Sequence, residues 1–306
     1  VTAPRVFGVD YKFLACGDVF TDGLVHAAAE LGIAYAHADW NAPTLGAQVG
    51  QFAPDLLFVV HGRKFRNRWH LPLGAARTAV WLLDEPYEVD DTSRWSGTFH
   101  HVFVNDAATL ARHRHASLLP VCADPHVHTP GAETRVHAVG FVGGGNATRD
   151  RMLAALAAEG LLTYVVGGSW DDARVKRLCT ADNLSARAVP ALYQRTRIIV
   201  NVWRDRHHFN RDQVPATAMN PRIYEALACG ALVVSEGRPE LAARVPELPT
   251  FETPAELVAL VRGLLEDPAR AEAIRVQCAA RLQADTYAAR LQTVLTTVGL
   301  GVAVPA

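Results

Sequence analysis

The sequence predicts an α/β protein of two doubly wound, Rossmann-like domains facing each other across a cleft, and three observations carry that expectation. Short apolar runs alternate with helix-period segments along the chain, the punctuation of a parallel sheet. The 306 residues exceed the size at which one hydrophobic core usually stops growing. Between two such series lies a stretch from Leu118 to Thr134, LLPVCADPHVHTPGAET, rich in Pro, His and small residues and without a helical period, as in an interdomain linker. The expected domains are residues 1–128 and 129–306, and two such sheets would turn the carboxyl ends of their strands toward one crevice.

In order, RVFGV opens the first series as a strand, TDGLVHAAAELG has helical period, and IAYAHA is the second strand. LLFVV follows and runs into a basic loop, HGRKFRNRWH; TAVWLL and HVFVN complete the set. The second series has HAVGFVGG, LLTYVVGG, RIIVNVW and ALVVSE as strands. Helices are expected near Arg149–Glu159, Pro221–Cys229, Pro254–Glu266 and Pro268–Gln283, with a last one from about Tyr287 to Val298 that could pack back on the first domain.

Half of the residues are hydrophobic, a fifth are charged and the formal net charge is -1, so nothing draws the whole chain to nucleic acid or to an anionic membrane. A small-molecule partner fits better. No apolar run approaches the ~20 residues of a membrane span, and VTAPRVFGVD has no signal-peptide core, which points to the cytoplasm. The cysteines, Cys16, Cys122, Cys179, Cys229 and Cys278, form no CxxC and suggest small buried thiols. The His pairs are spaced by one or two, not by the three or four that would put metal ligands on one helix face. No metal and no cofactor are expected.

The most informative segment is NPRIYEALACGALVVSE, Asn220 to Glu236. Asn220 suits an N-cap, Pro221 the first helical turn and Gly230 the residue after the helix, and ALVVS reads as a buried strand. Such a helix offers backbone N–H groups and the positive end of its dipole to a diphosphate, with Arg222 adding charge and Glu225, one turn on, accepting ribose hydroxyls. A capped helix with a solvated Arg–Glu pair uses the same residues. The FVGGGN turn invites close approach of a phosphate at Gly143 and Gly144, with Arg149 at the start of the next helix; a tight turn without ligand needs those glycines equally. VVGGSW is equally ambiguous, and its Trp170 suits packing better than a base platform.

RIYEALACG before a buried strand resembles the CgeB-like glycosyltransferases, named for a spore maturation protein. FVGGGNATRDRML, VPALYQRTRIIVNVW and DTYAARLQTVL resemble the same second domain, and PDLLFVVHG, TAVWLLDEPYE, HVFVNDAATL and LLPVCADPHVH the associated first one. The resemblance implies a GT-B fold, a nucleoside diphosphate sugar as donor in the second domain and an acceptor held mainly by the first. It also implies that Tyr193 neighbours the nucleobase. One departure stands out: Thr217 occupies the place, eight residues before Glu225, where many related transferases have a second carboxylate. The donor-sugar contacts therefore do not carry over, and another group, for example from HHFNRDQVPATAMN, must approach the sugar.

Glycosyl transfer needs stabilisation of the leaving diphosphate and often a base for the acceptor hydroxyl. No DxD motif occurs, so helix dipole and arginine take the place of a metal. Asp84, with Glu85 beside it, His61 and Asp18 sit at or just past strand ends and are the candidate acceptor-side groups, in that order; turn capping explains each of them as well. The basic run suits an acidic acceptor or a solvated surface. Small molecules, glycans and modified nucleic acid all stay open as acceptors. A sugar-nucleotide epimerase or hydrolase, and a non-catalytic nucleotide or sugar binder, are the rival functions.

Overall fold

The computed structural model describes residues 3–11, 17–71, 73–131, 134–204 and 209–301. Cys16, part of the ACGDVFTDG turn, and the pair His207 and His208 lie outside the described residues. The chain divides into two compact units, one of Val1–Asp124, His207–Ala218 and Asp285–Ala306, the other of Pro125–Arg206 and Met219–Ala284.

The first unit holds β1 (Arg5–Asp10), α1 (Gly17–Glu30), β2 (Ala34–Asp39), α2 (Leu45–Phe52), β3 (Leu56–Val60), α3 (Arg63–Arg68), β4 (Arg77–Leu82), α4 (Val89–Trp95), β5 (His101–Val104) and β6 (Ala116–Leu118). Its strands are all parallel, in the order β2-β1-β3-β4-β5-β6. β3, LLFVV, is buried along its whole length because neighbours flank it and helices cover the faces of a parallel sheet, whereas β2 at the edge is half exposed. The basic run expected as a loop instead folds as α3, whose Phe65 is buried in the core below while Arg66 and Arg68 occupy its last turn.

The start of the expected linker belongs to this unit. Leu119, Val121, Cys122, Ala123 and Asp124 are buried; Arg290 donates to the carbonyls of Pro120 (2.7 Å) and Val121 (3.2 Å), and His26 Nδ1 lies 2.7 Å from Asp124 Oδ2. The last helix, Tyr287–Thr297, packs on α1, where Tyr287 joins Phe20 and Trp81 in a buried aromatic group with centroids 5.9–6.3 Å apart. Gly23 makes that approach possible, because a Cβ there would collide with the Tyr287 ring.

The second unit holds β7 (His137–Val142), α5 (Ala147–Ala158), β8 (Tyr164–Val166), α6 (Ala173–Leu178), β9 (Cys179–Ala181), α7 (Val189–Gln194), β10 (Thr196–Asn201), α8 (Pro221–Ala228), β11 (Leu232–Glu236), α9 (Pro239–Arg244), β12 (Thr250–Phe251), α10 (Pro254–Glu266) and α11 (Pro268–Leu282). Its parallel sheet runs β12-β11-β10-β7-β8-β9. Phe141, Val165, Ile198, Val200 and Val234 build the core with Leu153 and Leu156 of α5 and Leu257 and Val261 of α10. Local chemistry starts these helices: the Asn146 side chain accepts from the Arg149 N–H, and Thr253 and Glu256 form a reciprocal capping box before α10. No helix among the described residues is long and apolar enough to cross a membrane.

Each sheet has a point where the strand order turns back on itself. It lies between β1 and β3 in the first unit and between β7 and β10 in the second. Ligands of open parallel sheets bind outside the carboxyl ends of the strands at such a point.

Candidate functional site

The carboxyl ends of β7 and β10 are joined by two arginines. Arg222, from the first turn of α8, donates through Nε to the Val142 carbonyl (2.9 Å) and through its NH1 nitrogen to Asn201 Oδ1 (2.5 Å). Arg149, from the first turn of α5, donates through Nε to the Val202 carbonyl (3.0 Å) and through its NH1 nitrogen to the Gly144 carbonyl (2.7 Å). Both guanidiniums lie near the buried Phe141 ring, 5.0 Å from its centroid for Arg222 and 5.6 Å for Arg149. The acceptors named for Arg222 are neutral, and no ion pair engages it among the described residues, so its position is fixed while its positive charge is left for an anion.

The glycine turns after β7 and β8 zip together. Gly143 N–H donates to the Val166 carbonyl and Gly145 N–H to the Gly168 carbonyl, each at 2.8 Å. Gly167 has φ +120 and a Cβ there would strike the Gly143 carbonyl; Gly143 has φ +148 and faces the Arg222 guanidinium; Gly144 is exposed with nothing within 4 Å of a Cβ. Gly167→Ala is therefore expected to destabilise the fold by about 2–4 kcal/mol and Gly144→Ala by less than about 1, as measured by urea unfolding. Trp170, buried against Phe141 and donating from Nε1 to the Gly167 carbonyl, is packing for these turns.

Asn220 departs from the expected cap. Its backbone is extended as a cap requires, but its side chain makes no cap hydrogen bond; Nδ2 donates to Asn201 Oδ1 (2.8 Å), and Oδ1 is buried without a hydrogen-bond partner among the described residues. The Ile223 N–H turns to the Asn220 carbonyl (3.3 Å). Asn201, wholly buried, passes the network on to Ser235 Oγ (2.8 Å).

Glu225 lies one turn into α8, and its carboxylate accepts no hydrogen bond among the described residues. Burial pushes its carboxyl above the usual carboxylate range, and the charges of His128 and Arg222 pull it partly back. Tyr193 is buried beside it, and burial together with the Glu225 charge raises its phenol. So buried, Tyr193 presents no surface for stacking a base.

In the first unit, the carboxyl end of β1 meets that of β3. The rings of Tyr11 and His61 pack with centroids 4.1 Å apart, and buried His61 takes a left-handed backbone, φ +64, that costs a non-glycine residue energy and recurs at functional sites. His61 Nε2 lies 3.6 Å from Glu88 Oε2, and Arg63 donates to Glu88 Oε1 (2.9 Å) and reaches Asp91 (3.0 Å). Half-buried Asp84, just past β4, completes a group in which one ligand-type atom each of His61, Asp84 and Glu88 lie within 4.8 Å of one another. The sequence pairs Asp84 with His61 correctly as strand-end groups but does not reveal Glu88. Asp18 lies in the first turn of α1, and no hydrogen bond or ion pair joins it to the group among the described residues.

Besides Glu88, three further carboxylates are not revealed by the sequence. Asp106 is fully buried and accepts from the N–H groups of Thr217 (2.7 Å) and Ala218 (2.9 Å) and from the Thr217 hydroxyl. Glu240 accepts from the Met219 N–H (2.6 Å), and Glu236 from the Trp203 N–H (2.8 Å). A strand-end acid can be read from sequence, but its partner up to 112 residues away cannot.

Residues 149–296 match a family described as glycosyl transferase-like. No curated protein matches the sequence. Among solved structures, an alpha-glucosyltransferase in complex with UDP-glucose and DNA containing an abasic site aligns over 93% of this chain and 96% of its own, with TM-score 0.66 and 9% identity. The trehalose-6-phosphate synthase OtsA aligns over 96% of this chain and 99% of its own, with TM-score 0.61 and 9% identity. An E. coli structure with bound UDP-2-fluoro glucose aligns over 95% and 98%, with TM-score 0.60 and 10% identity. At such identities the likeness is one of fold: the chain has the two-domain GT-B fold, and its match to the glycosyl transferase-like family is confined to residues 149–296, most of them in the second unit.

Proposed function

We propose that the chain moves a glycosyl unit from a nucleoside diphosphate sugar to a hydroxyl acceptor without a metal, the second unit holding the donor and the first acting on the acceptor. The observation that carries this reading is the pair Arg149 and Arg222, fixed on main-chain carbonyls and Asn201 at the turning point between β7 and β10. As the bond from the anomeric carbon to the phosphate oxygen breaks, the electron pair leaves with the diphosphate, and prefixed positive charge stabilises it without reorganisation. Gly143 and Gly144 border the same crevice, and Asn220 opens the α8 end of it. Glu225 accepts the ribose hydroxyls, with Tyr193 behind it.

The acceptor oxygen forms the new bond to the anomeric carbon and gives its proton to His61. Glu88, 3.6 Å from His61 Nε2, favours the imidazolium that results, and Asp84 orients the hydroxyl. The acceptor class, whether small molecule, glycan or modified nucleic acid, follows from which hydroxyl compound accelerates donor loss. We further read the chain as CgeB-like, on the RIYEALACG segment and its flanking strands, and as acting in the cytoplasm.

The test measures release of nucleoside diphosphate from UDP-, GDP-, ADP- and dTDP-sugars with and without acceptors. His61→Ala and Asp84→Asn are each expected to lower kcat by about 10²–10⁴-fold while nucleotide affinity stays the same. Full turnover in either variant removes that residue from the reaction. Donor loss that no acceptor accelerates would favour the hydrolase or epimerase reading.

A further inference from the structure

The donor half of the site lacks a carboxylate at position 217, and the structure shows what the segment around it does instead. The N–H groups of Thr217 and Ala218 and the Thr217 hydroxyl all go to Asp106, whose Oδ1 also accepts from the Ala108 N–H (3.0 Å). The next N–H, that of Met219, goes to Glu240, which also engages Arg244 (3.1 Å) and the Tyr224 hydroxyl (3.4 Å). Both carboxylates are committed to holding the chain ahead of α8. The N–H groups of residues 217–219 and the Thr217 hydroxyl are thereby all engaged.

Another carboxylate of the second unit differs. Glu236 ends β11, next to the end of β10, and is only partly buried. Oε2 accepts from the Trp203 N–H at 2.8 Å, and the Glu236 carbonyl accepts from the Trp203 indole Nε1 at 3.1 Å, so backbone and side chain are both pinned to one residue. Arg238 lies over the Trp203 ring, 4.3 Å from its centroid, and holds the indole in place. Oε1 accepts no hydrogen bond among the described residues. The Trp203 N–H shares its peptide unit with the Val202 carbonyl that anchors Arg149, so one peptide group fixes both the Glu236 carboxylate and the phosphate-side arginine.

We propose that Glu236 accepts a hydroxyl of the donor's sugar, supplying the contact that Thr217 cannot. This rests on the donor reading above. A carboxylate beside a diphosphate repels phosphate oxygens, so its free oxygen suits the neutral, hydroxyl-bearing part of the same ligand. Burial raises the Glu236 carboxyl above its ordinary value, and the Trp203 N–H and the charges of Arg238, Arg149 and Arg151 pull it partly back.

The experiment compares affinities of wild type and Glu236→Gln for UDP and UDP-glucose, GDP and GDP-mannose, ADP and ADP-glucose, and dTDP and dTDP-glucose by titration calorimetry. Gln keeps an acceptor for the Trp203 N–H, and circular dichroism and Tm check the fold. For the base that wild type binds, the variant is expected to keep its diphosphate affinity within about twofold and to lose about ten- to a hundredfold in affinity for the sugar nucleotide. Equal affinity of the two proteins for the sugar nucleotide, or an equal loss for diphosphate and sugar nucleotide, would overturn the proposal while leaving the donor reading standing. Absence of wild-type binding to every nucleotide would overturn both.

Discussion

Glu225→Ala is expected to weaken binding of the cognate nucleoside diphosphate by about 1–3 kcal/mol, roughly five- to more than a hundredfold in Kd, because ribose hydroxyls would enter a partly buried position and find no acceptor. Calorimetric titration reads the change, and an unchanged Kd would remove Glu225 from the site. The same residue should act oppositely on stability. Its folded-state carboxyl is raised by burial, so the folded protein binds that proton more tightly than the unfolded chain does. Stability therefore falls as pH rises through the interval between the ordinary glutamate value and the raised one. Glu225→Gln removes this dependence: its Tm should exceed that of wild type above the interval and converge with it below. A variant more stable at neutral pH but poorer in donor binding would mark a position kept for its ligand rather than for the fold.

Arg222→Met should produce the second large effect. Without the guanidinium, diphosphate affinity is expected to fall by about ten- to a hundredfold, the range for a charge-assisted hydrogen bond, while affinity for the corresponding nucleoside stays unchanged. That difference separates phosphate recognition from general damage. Some damage is also expected, about 1–3 kcal/mol of folding stability, since the Val142 carbonyl and Asn201 Oδ1 both lose a donor. Arg222→Lys should restore little, because an ammonium lacks the planar fork that reaches two acceptors set by different strands. Equal losses for nucleoside and diphosphate would contradict the assignment.

Much of this architecture is written locally in the chain. Apolar runs such as LLFVV and ALVVS read as strands buried on both faces, and Pro221 at the first helical position with Gly230 at φ +88 after the helix brackets α8 as the sequence suggests. The short strands β6, β9 and β12 are of two or three residues at or near sheet edges, too brief for any period to declare itself. In HGRKFRNRWH, charge density hid a helix whose one deeply buried side chain is Phe65.

The candidate residues were legible in type but not in their wiring. Arg149, Arg222 and Glu225 were identifiable from their places at helix starts; that the two arginines rest on carbonyls 53 and 80 residues away was not. Asn220 has the chemistry of a cap, yet Asn201, brought beside it by β10, competes for its side chain. Thr217 shows the same principle. Its missing charge was visible in sequence, while the carboxylate that grips it comes from the end of β5, 111 residues earlier.

A second unit built for a nucleoside diphosphate sugar would reveal itself by thermal shift. Wild-type protein is heated with UDP, GDP, ADP and dTDP, their sugars and the parent nucleosides, each with and without EDTA. A ligand that binds only the native state raises Tm with concentration. A selective rise is expected for one diphosphate and its sugar, unaffected by EDTA and largely absent with the nucleoside and in Arg222→Met. No rise with any nucleotide would contradict it.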